Sequence, residues 1–500
     1  MANPKLTRDA LDIWQAGVEA VTPSRLFRDK VRLEGTCLVV EHVELELSGV
    51  RRLVVVGAGK AAAAMAVALQ QEVLSKLQLA LPSLELQGWI NAPADAFTAA
   101  EVQALKPIHV HAARPAGINS PTEAAILGTQ RIVELVKGCG ARDRVICLLS
   151  GGGSALLVAP AEGVTLADKQ AVAQQIAAAG GNIEQLNAVR RPLSLVKGGG
   201  LARACHAAQM LTLIISDVLG DSLQTIASGP TVLQLAKDPE NDSFRSQSLA
   251  HSPTHTANFD LDTRIQATRA LAVLDELGLS NSPALAGAVQ VLKRQQSQTQ
   301  SFPNQSNLQS VVDNIILGNN ADAVDAAGVK AVELGYRYVM QSARGVEGDV
   351  LQVAHHATDA IVQLASQTQI DCWISGGEPT VRLPNSTGQG GRNQQLTLAV
   401  MRELQLRRSQ MSQREGAADS IPEVVFLSGG TDGEDGPTNA AGAFFDDGVI
   451  ARAADLRLDA EGYLARADAY SFFQQAGGLL LTGPTGTNVC DLRVALCKQR

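Results

Sequence analysis

Three glycine-rich loops in the first half of the sequence carry isolated cations and hydroxyls of the kind that bind anions. Lys60 ends GAGK, SGGGSALL spans 150–157, and LNAVRRPLSLVKGGGLA at 186–202 gathers basic residues before a third glycine run. Glycine lets a ligand approach the backbone N–H groups closely, and lysine or arginine adds positive charge. Each loop alone also suits an ordinary tight turn. The candidate anion-binding residues are Lys60, Gly151, Gly152, Gly153, Ser154, Asn187, Arg190 and Lys197.

Acidic residues recur in the loops that follow apolar segments. Asp217 belongs to SDVLGD, Glu378 stands between Gly-Gly and Pro in SGGEPT, and Asp432 belongs to SGGTDGEDGPT. Such oxygen donors suit Mg²⁺, which takes one or two carboxylates together with phosphate oxygens and water. These three acids are therefore candidate metal ligands, although helix capping is a competing role for an aspartate in such a position.

Arg392 follows a run of glycines at 388, 390 and 391. We expect it to move over a bound ligand and to hold a phosphoryl group or a carboxylate through its planar fork. Gly376, Gly377 and Thr431 are further candidates for substrate or phosphate binding. There is no GxSxG motif, and the histidines lie outside the glycine loops, so a covalent triad is not indicated. The pattern favours direct phosphoryl transfer, with Lys60, Arg392 and Asp217 as catalytic candidates.

The elements that must position these loops follow a regular pattern. Short apolar runs such as LVVVG, VICLLS and VVFLSGG end at glycine-rich turns and alternate with helix-forming segments. That alternation predicts an α/β fold with parallel sheets covered on both faces. The composition turns polar and Gln/Ser-rich between about 236 and 310. We therefore predict two domains, over residues 1–240 and 265–500.

Composition excludes several classes of protein. The 500 residues carry a net charge of −8 with 3% aromatics, which argues against a nucleic-acid partner. The seven cysteines form no CxxC pair, so neither a disulfide framework nor a zinc site is expected. No 18-residue apolar run or signal peptide is present, so we expect a cytoplasmic protein without a membrane partner.

Taken in order, the motifs resemble those of the type-2 glycerate kinases, ATP-dependent D-glycerate 2-kinases with a C-terminal MOFRL domain. The set is GAGKA, SGGGSALL, LNAVRRPLSLVKGGGLA, SDVLGD, SGGEPT, GGRNQ, SGGTDGEDGPT and TGPTGTNVCD, and the resemblance runs from about residue 10 to 495. It implies a Rossmann-like N-terminal domain and a smaller C-terminal α/β domain, with the active site in the cleft between them. It also implies conversion of D-glycerate and ATP to 2-phosphoglycerate and ADP. Lys60 and Arg392 match the family's central lysine and arginine; a Mg²⁺ or base role for Asp217 and Glu378 is our inference.

Some positions depart from the family pattern. Gln395 replaces a glutamate, Cys490 replaces a common asparagine, and HAARPAGINS at 111–120 stands where many microbial members have an HPxPD-like segment. Two rival interpretations are a hydroxypyruvate reductase, which the absence of a complete GxGxxG disfavours, and a non-catalytic sugar-phosphate-binding regulator. The sequence leaves open the 2- or 3-phosphoglycerate product and whether the protein forms a homodimer.

Overall fold

The structure is a computed structural model that describes residues 3–115, 120–233, 259–297, 310–343, 345–366, 369–384, 388–412 and 421–498. Most of the Gln/Ser-rich loop and the polar segment after residue 236 lie outside the described residues, as do residues 116–119 of HAARPAGINS. No helix within the described ranges is long and apolar enough to cross a membrane.

The described part of the chain forms eighteen α-helices. They are α1 Pro4–Ala20, α2 Pro23–Lys30, α3 Ala62–Leu69, α4 Ser75–Ala80, α5 Ala99–Ala104, α6 Glu123–Lys137, α7 Gly153–Leu156, α8 Leu166–Ala178, α9 Ile183–Arg190, α10 Gly200–Arg203, α11 Phe259–Glu276, α12 Ala286–Ser297, α13 Asn320–Glu333, α14 Val350–Ser366, α15 Arg392–Ser412, α16 Asp447–Asp455, α17 Ala460–Ala465 and α18 Ala469–Ala476.

The same residues form fifteen strands in three sheets. They are β1 Val31–Glu34, β2 Cys37–Val40, β3 Val43–Glu46, β4 Arg52–Ala58, β5 Glu85–Pro93, β6 Ile108–Arg114, β7 Asp143–Leu149, β8 Gln209–Ile215, β9 Val311–Gly318, β10 Tyr338–Gln341, β11 Cys372–Gly377, β12 Val424–Gly430, β13 Gly442–Phe445, β14 Leu479–Leu480 and β15 Asp491–Cys497.

The chain divides into two compact units. One, which we call the parallel-sheet unit, comprises Phe27–Ile214 and Ser222–Ile316. The other, the mixed-sheet unit, comprises Met1–Leu26, Ile215–Asp221 and Leu317–Arg500. Both units are discontinuous in sequence, unlike the continuous domains 1–240 and 265–500 that the sequence predicted.

A six-stranded sheet in the order β6-β5-β4-β7-β8-β9 organises the parallel-sheet unit. The pairs β5–β6, β4–β5, β4–β7 and β7–β8 are parallel, as the sequence predicts for buried apolar runs. The antiparallel meander β1-β2-β3 belongs to the same unit. Capping boxes at Thr165–Asp168 and Asn182–Gln185 begin α8 and α9, which contain Lys169 and Arg190.

The mixed-sheet unit is built on a sheet in the order β10-β11-β15-β12-β13-β14. Only the β10–β11 pair is parallel; the other four described pairs are antiparallel. Alternate residues of β12 face opposite sides, so that Val425 and Leu427 join the core beneath α1 and α13, while Val424 and Phe426 join the core beneath α14 and α15. This sheet therefore has helices on both faces, and it places the loops after β11 and β12 at its edge.

Candidate active site

Two of the predicted glycine loops meet in the parallel-sheet unit. The Lys60 N–H donates to the Gly151 carbonyl at 2.8 Å, and the Ala61 N–H donates to Ser150 Oγ at 2.9 Å. Gly59 has φ +152°, and a Cβ atom there would lie 2.1 Å from Ser150 Oγ. Glycine is thus required at 59 because the two turns touch.

Two cations flank Gly152. A Cβ atom at Gly152, which has φ +73°, would lie 3.3 Å from Lys60 Cγ and 3.8 Å from Arg114 Nη2. Arg114 ends β6 and is 4% exposed. Sequence reasoning missed it, because the family signal for that loop was unclear. Lys60, Arg114 and the SGGG turn therefore form one basic, glycine-lined region.

Hydroxyl and amide groups line the other side of this turn. Ser154 Oγ lies 3.0 Å from Ser228 Oγ, and the Ser228 hydroxyl donates to Asn187 Oδ1 at 2.8 Å. Ala227 and Ser228 have φ of +49° and +64°, a left-handed backbone that non-glycine residues adopt at a cost. Strained residues of this kind concentrate at functional sites, and Ser228 was not among the predicted residues.

Three basic side chains, which we call the basic cluster, lie in the same unit: the buried Lys169 and Lys197 and the half-buried Arg190. Arg190 Nη2 and Lys197 Nζ both donate to the Ser154 carbonyl, at 3.1 and 3.2 Å. Lys169 Nζ donates to the Leu193 carbonyl at 3.1 Å.

Burial lowers the pKa values of all three side chains in the basic cluster. It lowers the pKa of Lys169 to about 7, with a further contribution from Arg190. Burial and the neighbouring cations lower the pKa of Lys197 well below its ordinary value, and burial lowers that of Arg190. Lys169 gave no sequence signal, because a lone lysine on a helix is usually solvated.

The mixed-sheet unit holds a second group of predicted residues, centred on Arg392. Arg392 is the first residue of α15, and its Nε and Nη2 donate to the two carboxylate oxygens of Asp491 at 2.7 and 2.8 Å. Its Nη1 lies 3.5 Å from Glu378 Oε1. The arginine is therefore held in one orientation, whereas the sequence led us to expect a mobile side chain.

A buried polar network fixes the start of α15. Asp435 accepts from the Asn393 and Gln394 N–H groups at 3.0 and 2.8 Å, which caps the helix from a distant loop. Asn393 Nδ2 also donates to Asp491 Oδ1 at 2.9 Å. A Cβ atom at Gly391 would lie 2.3 Å from Asp435. The glycine before Arg392 thus makes room for this cap.

Glu378 lies beside Arg392, and Cys490 contacts both Glu378 and Asp217. The Cys490 thiol donates to the Asp217 carbonyl at 2.9 Å and lies 3.7 Å from Glu378 Oε2. The Glu378 side chain is 47% exposed. Loss of hydration raises its pKa; Arg392 opposes the rise, and the charges of Asp491 and Asp217 add to it. The structure thus brings together the three predicted residues Asp217, Glu378 and Arg392.

The three acids proposed as metal ligands do not form one site. Asp432 Oδ1 accepts the Glu434 N–H at 3.1 Å within its own turn, and Asp432 is not among the charges that shift the Glu378 pKa. Among the described residues there is no group of three or more His, Cys, Asp or Glu side chains that could hold a metal ion. The charge of Asp217 contributes to the raised pKa of Glu378, and the assignment of the three acids as metal ligands stays a prediction.

Three predicted phosphate-binding residues have structural partners, and their role in phosphate binding stays a prediction. A Cβ atom at Gly376 would lie 1.6 Å from Asn320 Oδ1, and one at Gly377 would lie 2.0 Å from Glu347 Oε2, so these strand glycines accommodate packed side chains. The Thr431 hydroxyl donates to the Cys490 carbonyl at 2.7 Å and accepts the Val489 N–H at 2.8 Å. Buried Thr431 therefore holds the loop before β15.

Gln395, the departure from the family glutamate, does not face this group. Its Nε2 donates to the Leu464 carbonyl at 2.9 Å, and the residue is 6% exposed. A glutamate here would turn a carboxylate toward that carbonyl oxygen, and an amide avoids the repulsion.

The comparisons with known proteins identify the family. The family model of a domain of unknown function, DUF4147, matches residues 9–246, and that of the MOFRL family matches residues 371–491. A human protein named glycerate kinase is 34% identical over 99% of this chain and 94% of its own length. A relative from Agrobacterium vitis, provisionally named hydroxypyruvate reductase, is 34% identical over 89% of this chain and 87% of its own length.

A solved structure shares the fold. The crystal structure of a glycerate kinase from Thermotoga maritima superimposes with a TM-score of 0.71 and 27% identity, over 99% of this chain and all of that one. Its likeness confirms the α/β fold and accords with the MOFRL region near the C-terminus. The ordered motifs, the basic glycine loops and these likenesses agree, and the chain belongs to the glycerate kinase family defined by DUF4147 and MOFRL.

Proposed function

We propose that this protein is a glycerate 2-kinase, which transfers the γ-phosphoryl group of MgATP to the 2-hydroxyl of D-glycerate. The observation that carries the proposal is the group around Arg392: Asp491 holds the guanidinium, Glu378 lies beside it, and the charge of Asp217 acts on Glu378. Phosphoryl transfer needs charge neutralisation and a proton acceptor rather than a covalent nucleophile.

Arg392 is suited to neutralising the transferred group. Asp491 occupies the Nε and Nη2 edge of its guanidinium, and Nη1 remains on the side of Glu378. A cation held in this way needs little reorganisation as negative charge develops on the phosphoryl oxygens. In the parallel-sheet unit, Lys60 supplies positive charge at its own glycine turn, where nucleotide phosphates can also reach backbone N–H groups.

Glu378 is suited to accepting the proton of the 2-hydroxyl. Its pKa is raised, which brings a carboxylate closer to the range in which it acts as a base near neutral pH. The pair Asp217 and Glu378 also matches the demands of Mg²⁺, which binds one or two protein carboxylates and completes its shell with phosphate oxygens and water. Bound with ATP, the ion would neutralise phosphate charge; we assign its protein contact to Asp217.

The reaction can be tested with purified protein, ATP, Mg²⁺ and D-glycerate, following ADP release and identifying the product by phosphorus NMR. We expect 2-phosphoglycerate, no turnover with excess EDTA, and no oxidation of NADH or NADPH by hydroxypyruvate. A 3-phosphoglycerate product would overturn the regiochemistry. Full activity in chelator would remove the metal, and reductase activity without ADP release would replace the proposal with the rival one.

All seven cysteines are free thiols. Such a set fits a reducing compartment, so we propose that the enzyme works in the cytoplasm.

A further inference from the structure

The basic cluster is a concentration of basic side chains with little exposure to solvent. Lys169 and Lys197 are 8% and 2% exposed, and Arg190 is half-buried. The three act on one another electrostatically, since Lys197 senses both Arg190 and Lys169. Their hydrogen bonds go to backbone carbonyl oxygens, whose partial negative charge offsets only part of the positive charge of a protonated side chain.

No acidic side chain compensates this charge within the described part of the chain. Lys169, Arg190 and Lys197 form no ion pair there, and no carboxylate is among the groups that shift their pKa values. Burying like charges without a counterion is unfavourable, and in the absence of a ligand the lysines respond with lowered pKa values. A site of this kind is best explained if an anion completes it.

The neighbouring groups indicate which anion. Ser154 and Arg190 are half-buried and can be approached from solvent, whereas Asn187 and Ser228 are buried behind them. The Ser154 and Ser228 hydroxyls offer hydrogen-bonding partners beside the cations. A small hydroxy acid combines the one negative charge and the hydroxyl groups that this arrangement can satisfy.

We infer that the basic cluster binds the carboxylate of the hydroxy-acid substrate. Arg190 contacts that carboxylate, and the more deeply buried Lys169 and Lys197 contribute positive electrostatic potential. The inference rests on the proposed function for the identity of that acid. It adds Lys169, a residue with no sequence signal, to the determinants of substrate affinity.

The charge balance favours a monoanion over a polyphosphate. Burial depresses the pKa values of both lysines, that of Lys169 to about 7, so Lys169 is largely uncharged at pH 8 while no anion is bound. A carboxylate brought next to Lys169 raises the pKa of that lysine again. Binding should therefore draw a proton from solution at pH 8, and Arg190 and Lys197 are the charged groups that modulate this uptake.

The test is calorimetric titration of the full-length protein with D-glycerate, without ATP, at pH 8 in buffers of different ionisation enthalpy. Arg190→Gln keeps a donor for the Ser154 carbonyl but loses the charge, and we expect the Kd for D-glycerate to rise at least tenfold. Lys169→Gln keeps a donor for the Leu193 carbonyl; we expect about a fivefold rise and loss of proton uptake. Lys76→Gln, an exposed lysine paired with Glu72, should change neither.

Titrations with ATP and with inorganic phosphate distinguish the sources of the anion. If Arg190→Gln weakens ATP binding and leaves D-glycerate unchanged, the cluster serves the nucleotide and the inference fails. It also fails if folded variants bind all three ligands as the wild type does. A wild type that binds D-glycerate with proton uptake, yet transfers no phosphoryl group, would overturn the proposed function and leave this inference standing.

Discussion

At the scale of single residues, Arg392 depends on Asp491. Both oxygens of the fully buried Asp491 accept from the guanidinium, and Asn393 Nδ2 supplies a third hydrogen bond. The sequence predicts a functional role for Arg392, because glycines precede a lone arginine and the family motif includes it. It could not show its partner, because the two lie 99 positions apart in the chain.

Arg392→Lys keeps the charge and loses the planar fork that two carboxylate oxygens hold. We expect kcat/KM for D-glycerate to fall at least tenfold, about 1.4 kcal/mol of transition-state stabilisation. Steady-state kinetics at fixed MgATP measure it. The matched control is Arg402→Lys in the same helix, where the arginine pairs with Glu461 at the surface; its kinetics should stay within twofold.

The partnership itself is tested by combining substitutions. Asp491→Asn should lower kcat, and Arg392→Lys with Asp491→Asn should lower it by less than the product of the single effects. Independent, multiplying effects would show that Asp491 does not act through Arg392.

At the scale of elements, the start of α15 governs where Arg392 stands. Asp435 caps this helix from a loop more than 40 residues later in the chain, with two accepted N–H bonds. Asp435→Ala should remove about 1–2 kcal/mol of stability by leaving those N–H groups without an acceptor. We also expect a fall in kcat of several-fold, because the first turn of the helix carries Arg392.

The control for that effect is another cap in the same unit. Asp446 Oδ1 accepts the Val449 N–H at 2.8 Å and caps α16. Asp446→Ala should cost similar stability, measured by thermal unfolding, without a change in kcat. Equal kinetic losses in both variants would mean that Asp435 affects activity through stability alone.

The strands and most loops were predictable because their signals are local. Apolar runs such as LVVVG are β4, and the turn after it does bring Lys60 to a glycine loop. The function of individual glycines was not predictable, since it depends on what packs there. For example, the sequence could not show that Asn320 and Glu347, remote in sequence, pack where side chains at Gly376 and Gly377 would lie.

At the scale of the whole molecule, the chain begins and ends in one unit. Helix α1 packs on α13 and on the strands of the mixed sheet, through Leu6, Ile13, Trp14 and Val18. The sequence placed residues 1–240 in a single domain because composition changes only near 236. Contacts between the first helix and strands some 400 residues later do not alter the local composition, so the sequence could not show that they belong to one unit.

This topology predicts which strands lose stability when the packing of α1 is weakened. Trp14 is 3% exposed, and a Cβ atom at Gly429 of β12 would lie 2.9 Å from its ring, so the glycine makes room for the indole. Trp14→Ala should cost about 3 kcal/mol or more through lost burial and a residual cavity. Hydrogen exchange resolves the effect by unit: amides of β12 and β15 should exchange faster, and those of β4 and β7 at the wild-type rate.

The exposed Gln15→Ala serves as the control and should alter neither set by more than about 0.5 kcal/mol. Faster exchange in β4 and β7 with β12 and β15 unchanged would instead assign α1 to the N-terminal domain that the sequence first suggested.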